Sequence, residues 1–182
     1  VDMSFSAPEI ASMLTEYEQD HHTGMDIEAV AGQIHYYTSG YPFLVSVLCK
    51  VIHDERLEWS VAGVNEAEKR VVKEKNTLFD DVTKNLINND SFSNLVKRIL
   101  LQGAQIAFED QNPDIDMGLM YGIFAKDSNG FVNVSNIIFE TRMYNYYVSV
   151  EATSSNFDNV AAEKSLFIRD GRLDVETVLK RF

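Results

Sequence analysis

Tyr37-Thr38-Ser39-Gly40-Tyr41-Pro42-Phe43-Leu44-Val45-Ser46-Val47-Leu48 closes one helical pattern and opens another within a few residues. A glycine just past an amphipathic run supplies the left-handed backbone that ends a helix, and a proline two positions on has the fixed φ suited to the first turn of the next. The stretch therefore predicts a tight helix-Gly-x-Pro-helix corner. Downstream, Phe43, Leu44, Val47, Leu48, Val51 and Ile52 form an apolar stripe wider than a surface helix needs, so the helix after the corner is expected to be the most buried of its group.

Upstream, Ser6-Ala7-Pro8-Glu9 has capping-box spacing and precedes Ile10, Met13, Leu14 and Tyr17 on one helical face, which predicts a helix over 7–20. His21-His22-Thr23-Gly24 reads as a turn, and Asp26 caps a second helix that faces inward through Ile27, Val30, Ile34 and Tyr37. Beyond the third helix, residues 59–64 read as a connector. The charged run from Glu66 to Lys75 reads as a solvated face, and Leu78, Phe79, Val82, Leu86 and Ile87 continue a helical period up to a break at Asn88-Asn89-Asp90.

After that break Ser91 is the expected cap of a helix bearing Phe92, Leu95, Val96, Ile99 and Leu100, closed at Gly103. A short extended run over 105–108, a loop at Asn112-Pro113 and at most two helical turns over 116–121 follow, ended by Gly122. Residues 123–126, the turn Asp127-Ser128-Asn129-Gly130 and residues 131–134 give a hairpin signal, and Asn136 caps a helix with Ile138, Phe139, Met143, Tyr144, Tyr146 and Tyr147. Helix, strand, helical turn and hairpin in that order is the ground plan of a winged helix. Residues 152–159 read as a loop, 160–168 fit no single pattern, and Asp174 is placed to cap a last helix. The expected fold is mainly α: a helical-bundle subdomain over 1–88, a winged-helix-like α+β module with a small β-hairpin over 89–150, and a linker with the start of a further helix over 151–182.

The bulk numbers bound the function. At 182 residues and 45% hydrophobic content the chain can build a real core. No run approaches the roughly 18 apolar residues of a membrane helix and no leader is evident, so a soluble, cytoplasmic location with no membrane partner is expected. The 28 acidic against 16 basic side chains, a net charge of -12, repel phosphate backbones on average and weigh against nucleic acid. Glu109, Asp110, Asp114 and Asp116 surround the turn that would enter a DNA groove, and the hairpin offers only Lys126. The lone Cys49 permits no internal disulfide and sits where a free cysteine packs as a small hydrophobe. The chain starts without methionine and stops inside a helical pattern at Leu179-Lys180-Arg181-Phe182, which reads as an excised fragment.

Signals of catalysis are absent. None of the nine glycines belongs to a Gly-x-x-x-x-Gly-Lys-Ser/Thr phosphate cradle, and there is no Gly-x-Ser-x-Gly elbow. His21, His22, His35 and His53, with Asp20 and Asp26, lack the helical His-x-x-x-His spacing that completes a metal shell, so no metal is expected. Asp80 and Asp81, as helix neighbours, diverge too far to share a proton. Tyr144, Tyr146 and Tyr147 at helical spacing fit packing better than base stacking.

Two stretches carry a family resemblance. Tyr37 to Val45 resembles the Gly-x-Pro corner in the helical lid of prokaryotic AAA-like (STAND-related) ATPases, and Phe5-Ser6-x-x-Glu9-Ile10 resembles the helix after their last core strand. Residues 121–124 and 130–139 are similar to the winged-helix segment that follows that lid, and residues 173–182 to a linker leading to a C-terminal effector domain. Ile137 stands where the family carries a proline, and no arginine is placed as a lid sensor. The resemblance implies a non-catalytic regulatory fragment of an ATPase, its P-loop core upstream of Val1 in the same protein. It also implies ATP or ADP with magnesium for the parent and none in the fragment, Gly40 and Pro42 near the nucleotide, and a protein partner for the module. A stand-alone winged-helix protein that binds DNA or another protein is the second reading.

Overall fold

The computed structural model describes residues 3–153 and two paired dipeptides, Ile168–Arg169 and Arg172–Leu173. It divides into two compact units, Val1–Arg142 and Met143–Phe182. The first unit opens with α1 (Ala7–His21), α2 (Ile27–Thr38), α3 (Pro42–Asp54) and α4 (Val61–Val71). It continues through α5 (Thr77–Asn88), α6 (Asp90–Gln102), α7 (Pro113–Met120), β1 (Phe124–Lys126) and β2 (Val132–Val134), and contains the start of α8 (Ile137–Thr153). The fold is mainly helical with a small antiparallel hairpin. No helix among the described residues is long and apolar enough to cross a membrane.

The local chemistry of the helix ends explains the first four elements. The Ser6 backbone N–H and hydroxyl both donate to the Glu9 carboxylate, at 2.8 and 2.7 Å, and Pro8 occupies the first turn of α1. Asp26 accepts the Ala29 N–H at 3.1 Å and starts α2. Between them the Glu18 carboxylate takes the N–H groups of Thr23 (3.0 Å) and Gly24 (2.7 Å) and the Thr23 hydroxyl, which folds the turn back. α1 packs on α2, and α2 on both α3 and α4. Ile10, Leu14, Val30, Ile34, Leu44, Val45, Leu48, Ile52, Val64, Ala67 and Val71 are buried there.

Three expectations in this half change. The buried face of α3 is Leu44, Val45, Leu48 and Ile52; Phe43 is 38% exposed and Val47 and Val51 lie at the margin, because α2 and α4 cover one side of the helix only. Residues 61–64 are not a connector but the first turn of α4, capped by Ser60, whose hydroxyl accepts the Gly63 N–H at 3.2 Å. Part of the charged run is therefore a core helix: Ala67 and Val71 are fully buried, and the charges sit on its flanks, where Arg70 pairs with Glu55 and Glu66.

In the second half α5 packs on α6, α6 on α7 and β2, and α7 on β1. The Asn88-Asn89-Asp90 break separates α5 from α6, and the cap is Asn89, extended at φ -126° and ψ 94°, rather than Ser91. The Ser91 hydroxyl donates to Asp114 at 2.9 Å. α7 starts at Pro113, earlier than expected, since Asn112 caps it by accepting the Asp114 and Ile115 N–H groups and proline suits its first turn. The extended run over 105–108 reaches the hairpin through an Ala107–Phe131 bridge, while Phe124 pairs with Val134 and Lys126 with Val132. Asn136 starts α8 by accepting the Phe139 N–H at 3.0 Å.

In the second unit α8 runs on through Thr153, past the expected loop start at Ala152, because Thr153 continues the backbone pattern and bonds back to the Ser149 carbonyl at 3.1 Å. Tyr146 and Tyr147 meet edge to face at 5.3 Å between ring centroids. β3 (Ile168–Arg169) pairs antiparallel with β4 (Arg172–Leu173). The rest of the expected 152–159 loop, residues 160–167 and the final helix from Asp174 lie outside the described residues.

One arginine ties the two halves of the first unit together. Arg142 Nη1 reaches the carbonyl oxygens of Val71 (3.3 Å), Val72 (2.7 Å) and Glu74 (2.7 Å) at the end of α4, and its guanidinium lies 3.8 Å from the centre of the Phe79 ring. Replacing it with alanine strips a charged cap from three carbonyls and the cover from a buried ring. Arg142→Ala is expected to lower stability by about 2–3 kcal/mol in urea denaturation, with Arg142→Lys recovering only part of it because an ammonium cannot lie flat over the Phe79 ring.

The capping carboxylates also set a pH limit. Hydrogen bonds from Ser6 hold the Glu9 carboxyl below its ordinary value, and those from Thr23 and Gly24 do the same for Glu18. Groups depressed in the folded state contribute stability that is present above their unfolded pKa and lost as pH falls through the folded value. The melting temperature is expected to drop on acidification through the carboxylate range, and Glu9→Gln with Glu18→Gln to flatten that acid limb.

Candidate functional site

The corner is built from a buried hydroxyl and two left-handed residues. The Thr38 hydroxyl donates to the Ile34 carbonyl at 2.8 Å and accepts the Gly40 N–H at 3.1 Å, so the last turn of α2 is closed from within. Ser39 ends the helix at φ 46° and Gly40 follows at φ 75°, so the left-handed backbone spans both residues. Gly40 is buried. Its carbonyl accepts the Phe5 N–H at 2.8 Å, and a Cβ on it would overlap the Phe5 main chain. Pro42 occupies the first turn of α3 and stays partly exposed. Of the two expected site residues, Gly40 is thus spent on packing against the chain before α1, and Pro42 keeps free surface.

Tyr41, between them, turns the other way. Its ring lies 5.9 Å from Phe139 at the start of α8 and rests on Gly122, at φ 67°, where a Cβ would meet it. The corner thereby touches the stretch before α1, the turn before β1 and the first turn of α8. Nearby, Asn65 on α4 accepts from Gln33 (2.7 Å) and Tyr37 (3.0 Å) on α2. Burial pushes the Tyr37 phenol up from its ordinary value.

A second feature escaped the linear reading. Between α1 and α3 lies an open, largely apolar pocket of about 260 Å³, lined among others by Ile10, Leu14, Val45, Lys50 and Trp59. Tyr17 is its fixed wall: His21 stacks on the ring at 3.9 Å and 4°, the phenol oxygen is 2.6 Å from His53 Nδ1, and Trp59 leans over it at 4.5 Å. Cys49 faces the same space, and burial pushes its thiol up to about 11. So His21 and His53 do meet, around a tyrosine, while His22 and His35 take no part in this site. Among the described residues no group of three His, Cys, Asp or Glu side chains could hold a metal ion.

The supposed groove-reading segment carries acid. Asp114 and Asp116 occupy the first turn of α7, the helix has neither Lys nor Arg, and Lys126 Nζ sits 5.5 Å from the Phe108 ring centre. Compared with known families, curated proteins and solved structures, the chain matches none.

The corner separates fold from function by substitution. Gly40→Val forces a branched side chain into a left-handed conformation, a cost of about 1–2 kcal/mol, and adds the overlap with Phe5. Its melting temperature is expected to fall clearly in a thermal scan, while Pro42→Ala shifts stability by no more than about 1 kcal/mol.

Proposed function

We propose that the chain is a non-catalytic regulatory segment of a cytoplasmic AAA-like ATPase, a helical lid over residues 1–88 (α1–α5) followed by a winged-helix-like interaction module over residues 89–150, which begins with α6. The observation that carries this reading is the hydrogen bond from Phe5 to Gly40, which sets the Gly-x-Pro corner beside the lead-in to α1. A P-loop core attached ahead of Val1 would then emerge next to the corner, and Pro42, with its free surface, is the residue left to approach a nucleotide base. Catalysis would belong to the core, which holds the phosphates and magnesium in such enzymes; a lid supplies a wall.

The stand-alone DNA-binding reading fares worse on electrostatics. Duplex binding needs several cationic contacts to release counterions, and α7 presents carboxylates where they would be required. No shift of duplex DNA is expected in a gel assay at moderate salt.

Two experiments test the proposal. A reading frame with no Walker A motif ahead of Val1 overturns it. In the full-length parent, Pro42→Ala is expected to weaken ADP–magnesium binding several-fold by isothermal titration at unchanged melting temperature; unaltered affinity would make the corner architecture alone.

A further inference from the structure

Among the charged side chains of α4, Glu68 alone has no counter-ion. Lys69 and Arg70 both reach Glu66, at 3.7 and 3.3 Å, and Arg70 also pairs with Glu55, whereas Glu68 makes no ion pair or hydrogen bond among the described residues. Its carboxylate is nevertheless half-buried. Burial pushes its pKa above the ordinary carboxylate value, and the neighbouring Lys69 offsets that only in part. Taking a charge out of water without giving it a partner costs stability, so the fold gains nothing internal from this carboxylate.

The surroundings of Glu68 are built by two helices. Asn65, one turn earlier on α4, accepts the Gln33 amide at 2.7 Å and the Tyr37 hydroxyl at 3.0 Å, both from α2, on its side-chain oxygen. Its NH2 group donates to nothing among the described residues. The Glu68 charge reaches the Tyr37 phenol, and the Tyr36 ring, 61% exposed, stands edge to face with that of Tyr37 at 5.2 Å. Gly32, one turn before Tyr36, is an independent sign: it is exposed, its backbone is ordinary helix, and a Cβ on it would meet nothing within 4 Å. Only proline is a poorer helix former, so nothing inside the chain calls for glycine there. The missing side chain leaves the Tyr36 ring open to approach from outside.

These groups select a flat cation. A guanidinium forks to a carboxylate while its face lies on an aromatic ring, and it is less strongly hydrated than an ammonium, so it loses less on entering a half-buried site. The Asn65 NH2 group suits a main-chain carbonyl, which a peptide supplies. The net charge of -12 draws basic partners toward the chain. We propose that the seam between α2 and α4 is a docking site for an arginine on an extended segment of a basic protein partner, its guanidinium paired with Glu68 beside Tyr36 and Tyr37.

The test titrates the blocked peptide acetyl-Gly-Arg-Gly-amide into the 15N-labelled chain at about 150 mM salt, where diffuse attraction is screened. The Gly32 and Glu68 amides and the Asn65 side-chain NH2 resonances are expected to move saturably, with a Kd of about 1–10 mM for this single arginine. The citrulline peptide, which keeps the shape and loses the charge, should bind at least tenfold more weakly, and the lysine peptide several-fold more weakly. Glu68→Gln should abolish saturation at an unchanged or higher melting temperature, since it removes an isolated charge. Gly32→Leu, on open helix surface, should keep the fold and block the peptide. Shifts that spread over the chain without saturating, citrulline or lysine binding as well as arginine, or full affinity in either folded variant would each overturn the assignment. Arginine amide binding as tightly as the peptide would overturn it too, in favour of a small cationic ligand.

Discussion

Arg142 is the interaction on which the first unit depends. A helix leaves its last carbonyls without partners, and α4 ends at Val71, which is buried, just before the exposed Lys73 and Glu74. A guanidinium answers this better than any other side chain: Nη1 serves the carbonyls of Val71, Val72 and Glu74 while the flat face covers Phe79. The cation also meets the negative end of the α4 dipole. Because Arg142 comes from the first turns of α8 and Phe79 from α5, one side chain links the end of α4 to the start of α5 within the first unit. Burial lowers its pKa from the ordinary value, but an arginine keeps its charge throughout the accessible pH range.

The corner supplies the second tie, and its three residues divide the work by size. Gly40 has no side chain and lets the main chain of Phe5 approach; Tyr41 reaches out to Gly122 and Phe139; Pro42 starts α3 without needing a hydrogen bond. Two glycines far apart in sequence, Gly40 and Gly122, are therefore used for the same purpose, close approach on either side of one tyrosine-bearing turn.

Much of this was legible because caps and turns are written in consecutive residues. Asp26, Gly103, Gly122, the Asp127–Gly130 turn and Asn136 all act where local chemistry placed them. α4 was not legible, since Val61, Gly63 and Val64 are poor helix formers and the charged run after them hides Val64, Ala67 and Val71 on one face; tertiary burial overrides propensity here. The early start of α7 was masked by a proline that reads as a loop when its cap is not considered. The aromatic cavity had no linear signal at all. Tyr17, His53 and Trp59 come from α1, α3 and the segment before α4, and only the fold brings them together.

The acidity of α7 shows how stability and surface character can share a cause. Eight residues are too few for a helix to persist on propensity, so α7 relies on its beginning: Asn112 caps two amides, Asp114 and Asp116 sit at the positive end of the dipole, and Ser91 fastens Asp114 to α6. Its other end is held by contact, Gly118 lying so close to the Phe124 ring that a methyl group would not fit. The carboxylates that keep this segment helical are the same ones that give it an acidic surface. Exchanging them for lysines would place positive charge on the positive end of the dipole and unfasten Ser91, so this helix is held in shape by the same charge that makes its surface acidic.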